Sequence, residues 1–458
     1  MRRSILTVVV ASTFLAGLLA GYLQAAASIQ PMLHLAGALP GPAQAPAPAG
    51  GQSASRPAAP ASTSAAAPAQ PAGPQQSAAR PGPAATPSAA APGETRVHPC
   101  GPAATGFARC HAVLLQPAGN NHFGSTGPAG LNPPDLQSAY ALPSGTAGAG
   151  ETVAVVDAFD DPDAESDLAV YRAQFALPAC TTAGGCFSKV AQDGGARFPR
   201  TNASWALEIS LDLDMVSAVC PRCHILLVEA DDSRITNLLA AVDEAAALGA
   251  TEISNSYGGA ELSAETGLDA HFNHPTIAIT ASSGDGGFGV QYPAASPFVT
   301  AVGGTTLTKD PAVARGWSET AWSGAGSGCS AFEAQPSWQA ANRNVVSVCG
   351  ARAVADVSAD ADPGTGVSVF DSVSFQGSKG WLIVGGTSVG APVIASVFAL
   401  AGGVTGSPAA GSLPYANVAA LNDVTSGSNG ACGSILCTAT GGWDGPTGLG
   451  TPATAGAF

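Results

Sequence analysis

Charge is scarce in this chain. Only 11% of its 458 residues are Asp, Glu, Lys or Arg, and 32 acids outnumber 17 bases, for a formal net charge of −15. A phosphate backbone needs a basic face to bind, so nucleic acid is excluded as a partner. Long apolar runs are equally rare. Met1-Arg2-Arg3, an apolar stretch over 5–20 and Ala25-Ala26-Ala27 make the charged, hydrophobic and small-residue regions of an export signal over 1–27. No other stretch is apolar enough to cross a bilayer. The chain is therefore expected to be secreted, or membrane-anchored where that signal is not cleaved.

Large side chains are missing from 28–95, where Ala, Pro, Ser, Gly and Gln dominate. Such a segment buries too little surface to offset chain entropy and is expected to be a disordered Ala/Pro-rich tether, a spacer or a link to a cell wall. A short cysteine-bearing segment over 96–143 follows, then one large domain over 144–458; a monomer is expected. The ten cysteines fall as near neighbours: Cys100/Cys110, Cys180/Cys186, Cys220/Cys223, Cys329/Cys349 and Cys432/Cys437. In an exported chain they read as five disulfides. Zinc is the competing reading of Cys220-Pro221-Arg222-Cys223-His224, but no second CxxC accompanies it.

Past Gly150, short β-branched runs alternate with helical stretches, the mark of βαβ units on a mainly parallel α/β sheet flanked by helices. Strands are predicted over 152–156, 224–228, 251–254, 276–281 and 299–302. Helices are predicted over 164–175, 205–219, 235–248 and 388–401. Gly- and Ser-rich turns follow several strands at their carboxyl ends, where open α/β sheets place their sites.

One of those turns is Gly385-Gly386-Thr387-Ser388, which ends a strand and opens an apolar helix. Free N–H groups and the positive helix end there suit a nucleophilic serine and an oxyanion, although an N-cap serine reads the same way. Such a serine needs a base. Of the seven histidines, His34 and His98 fall outside the expected folded region, His224 starts a strand, His271 and His274 flank a loop, and none sits in a Gly-rich setting that would present it to Ser388. Carboxylates offer the alternative. Glu208 and Asp212 stand four apart on one helix face amid Leu207, Ile209, Leu211, Leu213 and Met215, with Asp214 pointing elsewhere, so at least one pKa should rise. A solvated acidic face is the plainer reading. Asp285 follows a buried strand in Ser282-Ser283-Gly284-Asp285; protonated, it can donate to an oxyanion, and otherwise it makes a turn.

Together these segments resemble the sedolisin family of serine-carboxyl peptidases, whose pattern joins a Glu-x-x-x-Asp helix, an SSGD loop and a GGTSxxxP serine. The resemblance runs from about Leu131 to the C-terminus and includes Ser254-Asn255-Ser256-Tyr257-Gly258, Ala355-Asp356 through Asp362-Pro363, and Gly442-Trp443-Asp444. It implies a subtilisin-like fold and hydrolysis of peptide bonds at acidic pH. Ser388 would be the nucleophile, Glu208 the base, Asp212 its orienter and Asp285 the oxyanion donor, with Ser256, Tyr257 and Gly258 lining the cleft. It further implies one structural calcium held by Asp423 and Asp444 and by the carbonyls of Val424, Thr440 and Gly442.

Three departures stand out. No long folded prosegment precedes the domain, so what silences the enzyme is open. Thr440 stands where the family often has Gly. The run Val153-Ala154-Val155-Val156-Asp157 resembles the strand that carries the triad aspartate of true subtilisins; without a suitable histidine, Asp157 is expected to cap a turn with Asp160 and Asp161. The implied function is a secreted endopeptidase working at very roughly pH 3 to 6. The rivals are a tripeptidyl exopeptidase, a catalytically silent peptidase-like wall protein, and a neutral subtilisin-type enzyme.

Overall fold

Residues 94–117, 127–404 and 409–458 are described by the computed structural model. The export signal expected over 1–27 lies outside them, as does nearly all of the expected tether. All ten cysteines pair with their sequence neighbours, Cys220 with Cys223 included, so no thiolate remains there for zinc. Among the described residues no helix is long and apolar enough to cross a membrane.

The β-branched runs form the sheet they predict. Across it the strands are Trp317–Ala321, Thr300–Lys309, Ala278–Ser282, Glu252–Asn255, Thr152–Ala158, His224–Ala230 and Phe187–Ala191, with Val357–Asp360 also pairing Thr300–Lys309. All neighbours are parallel except Trp317–Ala321, which runs antiparallel. Parallel strands need cover on both faces, and the pleat supplies two apolar sides. Val153 and Val155 join one core cluster, Ala154 and Val156 the other. Helices Ala203–Val219 and Thr387–Ala401 pack on each other and on the first side; helix Ile235–Ala247 covers the second.

Strand order decides where a crevice opens. From Thr152–Ala158 the chain winds outward through Phe187–Ala191 and His224–Ala230, then returns to build the other half from Glu252–Asn255. The switch lies between Thr152–Ala158 and Glu252–Asn255, and the loop after the latter opens at a carboxyl end. Two smaller antiparallel sheets border it. One joins Gln291–Tyr292, Tyr257–Ala260 and Arg109–Cys110; the other joins Glu94–Val97, Val113–Pro117, Ser378–Gly385 and Val367–Phe375. The chain thus crosses from one small sheet to the other over 110–113.

Candidate active site

Helix Ala203–Val219 starts where the Asn202 side chain accepts the N–H groups of Ser204 and Trp205, at 3.0 and 3.4 Å. It is apolar nearly all round and therefore buried nearly all round, so Glu208 and Asp212, one turn apart, are both fully enclosed. Glu208 Oε2 accepts the Ala112 N–H at 2.8 Å, and Asp212 Oδ1 accepts the Ser256 hydroxyl at 2.8 Å. The second oxygen of each has no hydrogen-bond partner among the described residues. Asp214 lies on another flank, where it accepts the Phe370 N–H at 2.9 Å.

Asp157 corrects the sequence reading. It does not cap a turn: it sits inside strand Thr152–Ala158, fully buried, with neither oxygen hydrogen-bonded, against Asp212 and Glu208. Turn chemistry belongs to Asp160 and Asp161 alone; Asp161 Oδ1 accepts the Asp163 N–H at 3.0 Å. The three enclosed acids push one another's pKa up, burial being the larger cause and mutual repulsion next for Asp157 and Glu208. The Ser388 hydroxyl and the Ala112 N–H pull Glu208 the other way, as the Ser256 hydroxyl does Asp212.

Ser388 opens helix Thr387–Ala401 after Gly386 turns the chain at φ 97°. Its hydroxyl donates to Ser256 O at 3.2 Å. Pro392 has no N–H for the Ser388 carbonyl four residues back, and the Ser256 hydroxyl stands 3.4 Å from that carbonyl instead. Ser256 thus ties the serine to Asp212. Asp285 stands beside the same turn, its Oδ1 accepting the Thr387 N–H at 2.8 Å and hydroxyl at 2.9 Å, its Oδ2 unpartnered. Burial raises its pKa to about 7 against the opposing Thr387 N–H and Arg109. It therefore carries a proton in acid, on the one oxygen free to donate it.

Residues 107–113, which the sequence reading did not assign to the site, fill the crevice. Arg109 and Cys110 pair antiparallel with Gly258 and Tyr257, and the His111 N–H donates to Ser256 O at 3.2 Å. On the outer side Ala108 N–H donates to Ser233 O at 2.8 Å. A side chain on Gly386 would collide with the His111 carbonyl oxygen and approach Asp285 Oδ2 to 2.8 Å, so this carbonyl rests on the bare glycine next to the free acid oxygen. One residue on, Ala112 N–H is the group that Glu208 accepts. Of the expected cleft residues, Ser256 and Gly258 present their backbone to this segment, while the Tyr257 side chain turns inward and donates to Asn255 Oδ1 at 2.7 Å. The overlooked signal was the apolar run Val113-Leu114-Leu115 shortly after Cys110, a strand in the segment read only as cysteine-bearing.

His111 is also the histidine the sequence reading passed over. It is fully buried, but its ring nitrogens face Ser282 Oγ at 2.7 Å and Gln291 Oε1 at 3.1 Å rather than Ser388, and burial, then Arg109, lowers its pKa to about 3. His271 pairs with Asp243. No described histidine is hydrogen-bonded to Ser388.

At the C-terminal end, loop 440–444 brings Asp423 and Asp444 together. Asp423 Oδ2 accepts the Gly442 N–H at 2.9 Å; Asp444 Oδ2 accepts the Thr440 N–H at 2.9 Å and its Oδ1 the Thr447 N–H at 3.0 Å. Burial first, and the Asp423 charge last, raise Asp444 to about 7. Two repelling carboxylates brought together at one loop are a donor set that suits a hard cation, although among the described residues no three His, Cys, Asp or Glu gather as for a metal.

No protein-family model matches the chain. It is 29% identical over 365 residues to kumamolisin of Bacillus sp. strain MN-32, covering 72% of this chain and 63% of that one. It is 35% identical over 180 residues to sedolisin of Pseudomonas sp. strain 101, covering 36% and 29%. A solved structure of Pseudomonas sedolisin, a serine-carboxyl proteinase complexed with pseudo-iodotyrostatin, aligns at TM-score 0.60 and 27% identity over 72% of this chain and 96% of that one. Over about 72% of its length the chain is thus similar to sedolisins in sequence and in fold. The subtilisin-like fold that the resemblance implied is therefore the fold of a sedolisin. The matched region spans less than two thirds of either curated relative.

Proposed function

We propose that this protein is a serine-type endopeptidase of the sedolisin kind, driven by carboxylates. The observation that carries the reading is the meeting, at one switch point, of Ser388, the buried acids Glu208, Asp212 and Asp157 with their spare oxygens, and the free oxygen of Asp285. Ser388 Oγ attacks the substrate carbonyl carbon while its proton passes to Glu208; Asp212 and Asp157 set how readily Glu208 accepts it, and protonated Asp285 donates to the oxyanion. The C–N bond then breaks, Glu208 returns the proton to the leaving nitrogen, and water cleaves the acyl-enzyme, giving its hydroxyl to the carbonyl carbon and its proton, through Glu208, to Ser388.

Internal cleavage is favoured over tripeptide removal because five residues, 107 to 111, run up to the carbonyl beside Asp285, and Phe107 and Ala108, beyond the third residue from that carbonyl, are still paired to the protein. The first bond cut is then His111–Ala112 of the chain itself, and the segment that fills the cleft is what silences it. Five disulfides support action outside the cytoplasm. Asp423 and Asp444, with the carbonyls of Val424, Thr440 and Gly442, are assigned one structural calcium, which would relieve the repulsion between the two acids. The test is casein digestion from pH 2 to 8, with intact mass measured alongside. The wild-type chain should digest casein in acid and acquire an N-terminus at Ala112, and Ser388→Ala should do neither; equal digestion by both would overturn the reading.

A further inference from the structure

The imidazole of His111 occupies a made-to-measure pocket. Its walls come from three elements: Ser282 at the end of strand Ala278–Ser282, Gln291 on strand Gln291–Tyr292, and the bare Cα of Gly258, where a side chain would come within 2.8 Å of the ring. Ser282 Oγ stands 2.7 Å from Nδ1 and Gln291 Oε1 stands 3.1 Å from Nε2. A neutral imidazole meets both: Nε2–H donates to the Gln291 carbonyl and Nδ1 accepts the Ser282 hydroxyl. The backbone fixes the register, since His111 N–H donates to Ser256 O and its carbonyl rests on Gly386, so this side chain belongs to the residue immediately before the bond presented to Ser388.

We propose that Ser282 and Gln291 form the pocket that reads the residue before the cleaved bond, selecting an uncharged side chain that both donates and accepts, histidine foremost and then glutamine or asparagine. The reason is complementarity under burial. A leucine there leaves the buried Gln291 carbonyl oxygen unpaired and the Ser282 hydroxyl with only its longer bond to Asn255 O at 3.4 Å, which costs about 1–3 kcal/mol, or roughly 5- to 150-fold in preference. A lysine or an acid must shed its water against a hydroxyl and an amide that offer no counter-charge. His111 is the pocket's built-in occupant.

The inference rests on the peptidase reading, and one experiment separates the two. A mixed peptide library is digested at about pH 6.5, where roughly half of free imidazole is neutral and Asp285 still keeps its proton, by the full chain with Ser388→Ala as control, and the cleaved bonds are mapped by mass spectrometry. Histidine should precede the cut about 10-fold or more above leucine. Gln291→Leu should bring leucine to parity, and Gln291→Glu should draw cuts toward lysine and arginine; Ser282→Ala, a smaller change, serves if either of these does not fold. Cleavage that depends on Ser388 but shows no histidine enrichment, or an enrichment unmoved by these variants, overturns the pocket alone. Absence of any Ser388-dependent cleavage overturns the peptidase reading, and the pocket with it.

Discussion

Two groups of buried acids in this protein carry opposite bookkeeping. Asp356 is fully enclosed, yet each oxygen is satisfied: Arg352 holds both, at 2.7 and 2.5 Å, and Gln339, Tyr415 and the Ala301 N–H complete the set. Glu208, Asp212 and Asp157 are as deeply enclosed, with no cation among the described residues hydrogen-bonded to any of them and oxygens left over. The first arrangement stabilises a fold and leaves nothing to react. The second holds carboxyl groups at a raised proton affinity, ready to take a proton from a neighbour, at a cost in stability.

The sharpest way to separate the two groups is by neutral substitution. Glu208→Gln keeps shape and the bond from Ala112 but cannot accept a proton, so kcat should fall on the order of 10²–10⁴-fold. The same change relieves repulsion, so the melting temperature at pH 8 should hold or rise; a loss of stability there would place Glu208 with Asp356. Next comes Asp356→Ala, which strands the buried Arg352 guanidinium and should cost about 3–5 kcal/mol in chemical denaturation. A loss under 1 kcal/mol would show that the satisfied pair holds nothing together.

A smaller effect follows from the sign of the shifts. Glu252 and Asp371 are raised to about 8, mainly by burial, in the same direction as Glu208 and Asp212. A raised folded-state pKa means that the native state binds more protons, so stability is complete below the ordinary carboxylate range and is lost as pH climbs toward 8. Melting temperature should fall by several degrees between pH 4 and pH 8, and a flat or rising curve would contradict the burial of these acids in solution. Smallest is the C-terminal loop: chelation should lower the melting temperature by a few degrees, and Asp444→Ala should abolish that sensitivity. No change in the wild type would remove the calcium.

Much of this was legible in advance, for physical reasons. The strands around Val153–Val156, Ile225–Val228 and Ile279–Ala281 are short apolar runs cut by Gly and Ser turns, and parallel sheets announce themselves that way. The Glu208/Asp212 spacing on an apolar helix foretold shared burial. Asp157 was misread because its meaning depends on Asp212 and Glu208 arriving from another element, a contact that local sequence does not encode. Residues 107–113 escaped for a related reason: they are held in the crevice largely through backbone hydrogen bonds, which any side chains can make.

The central claim is that carboxylates, not an imidazole, drive Ser388, and the pH profile of kcat/KM tests it most directly. The coupled cluster must give up its first proton for Glu208 to act as base, which sets the acid limb above the usual carboxylate range, while Asp285 must keep its proton, which sets the alkaline limb at about 7. A bell falling away above pH 7, with the alkaline limb weakened in Asp285→Asn, is the predicted result; full activity held through pH 8 to 9 and lost on acidification would contradict it.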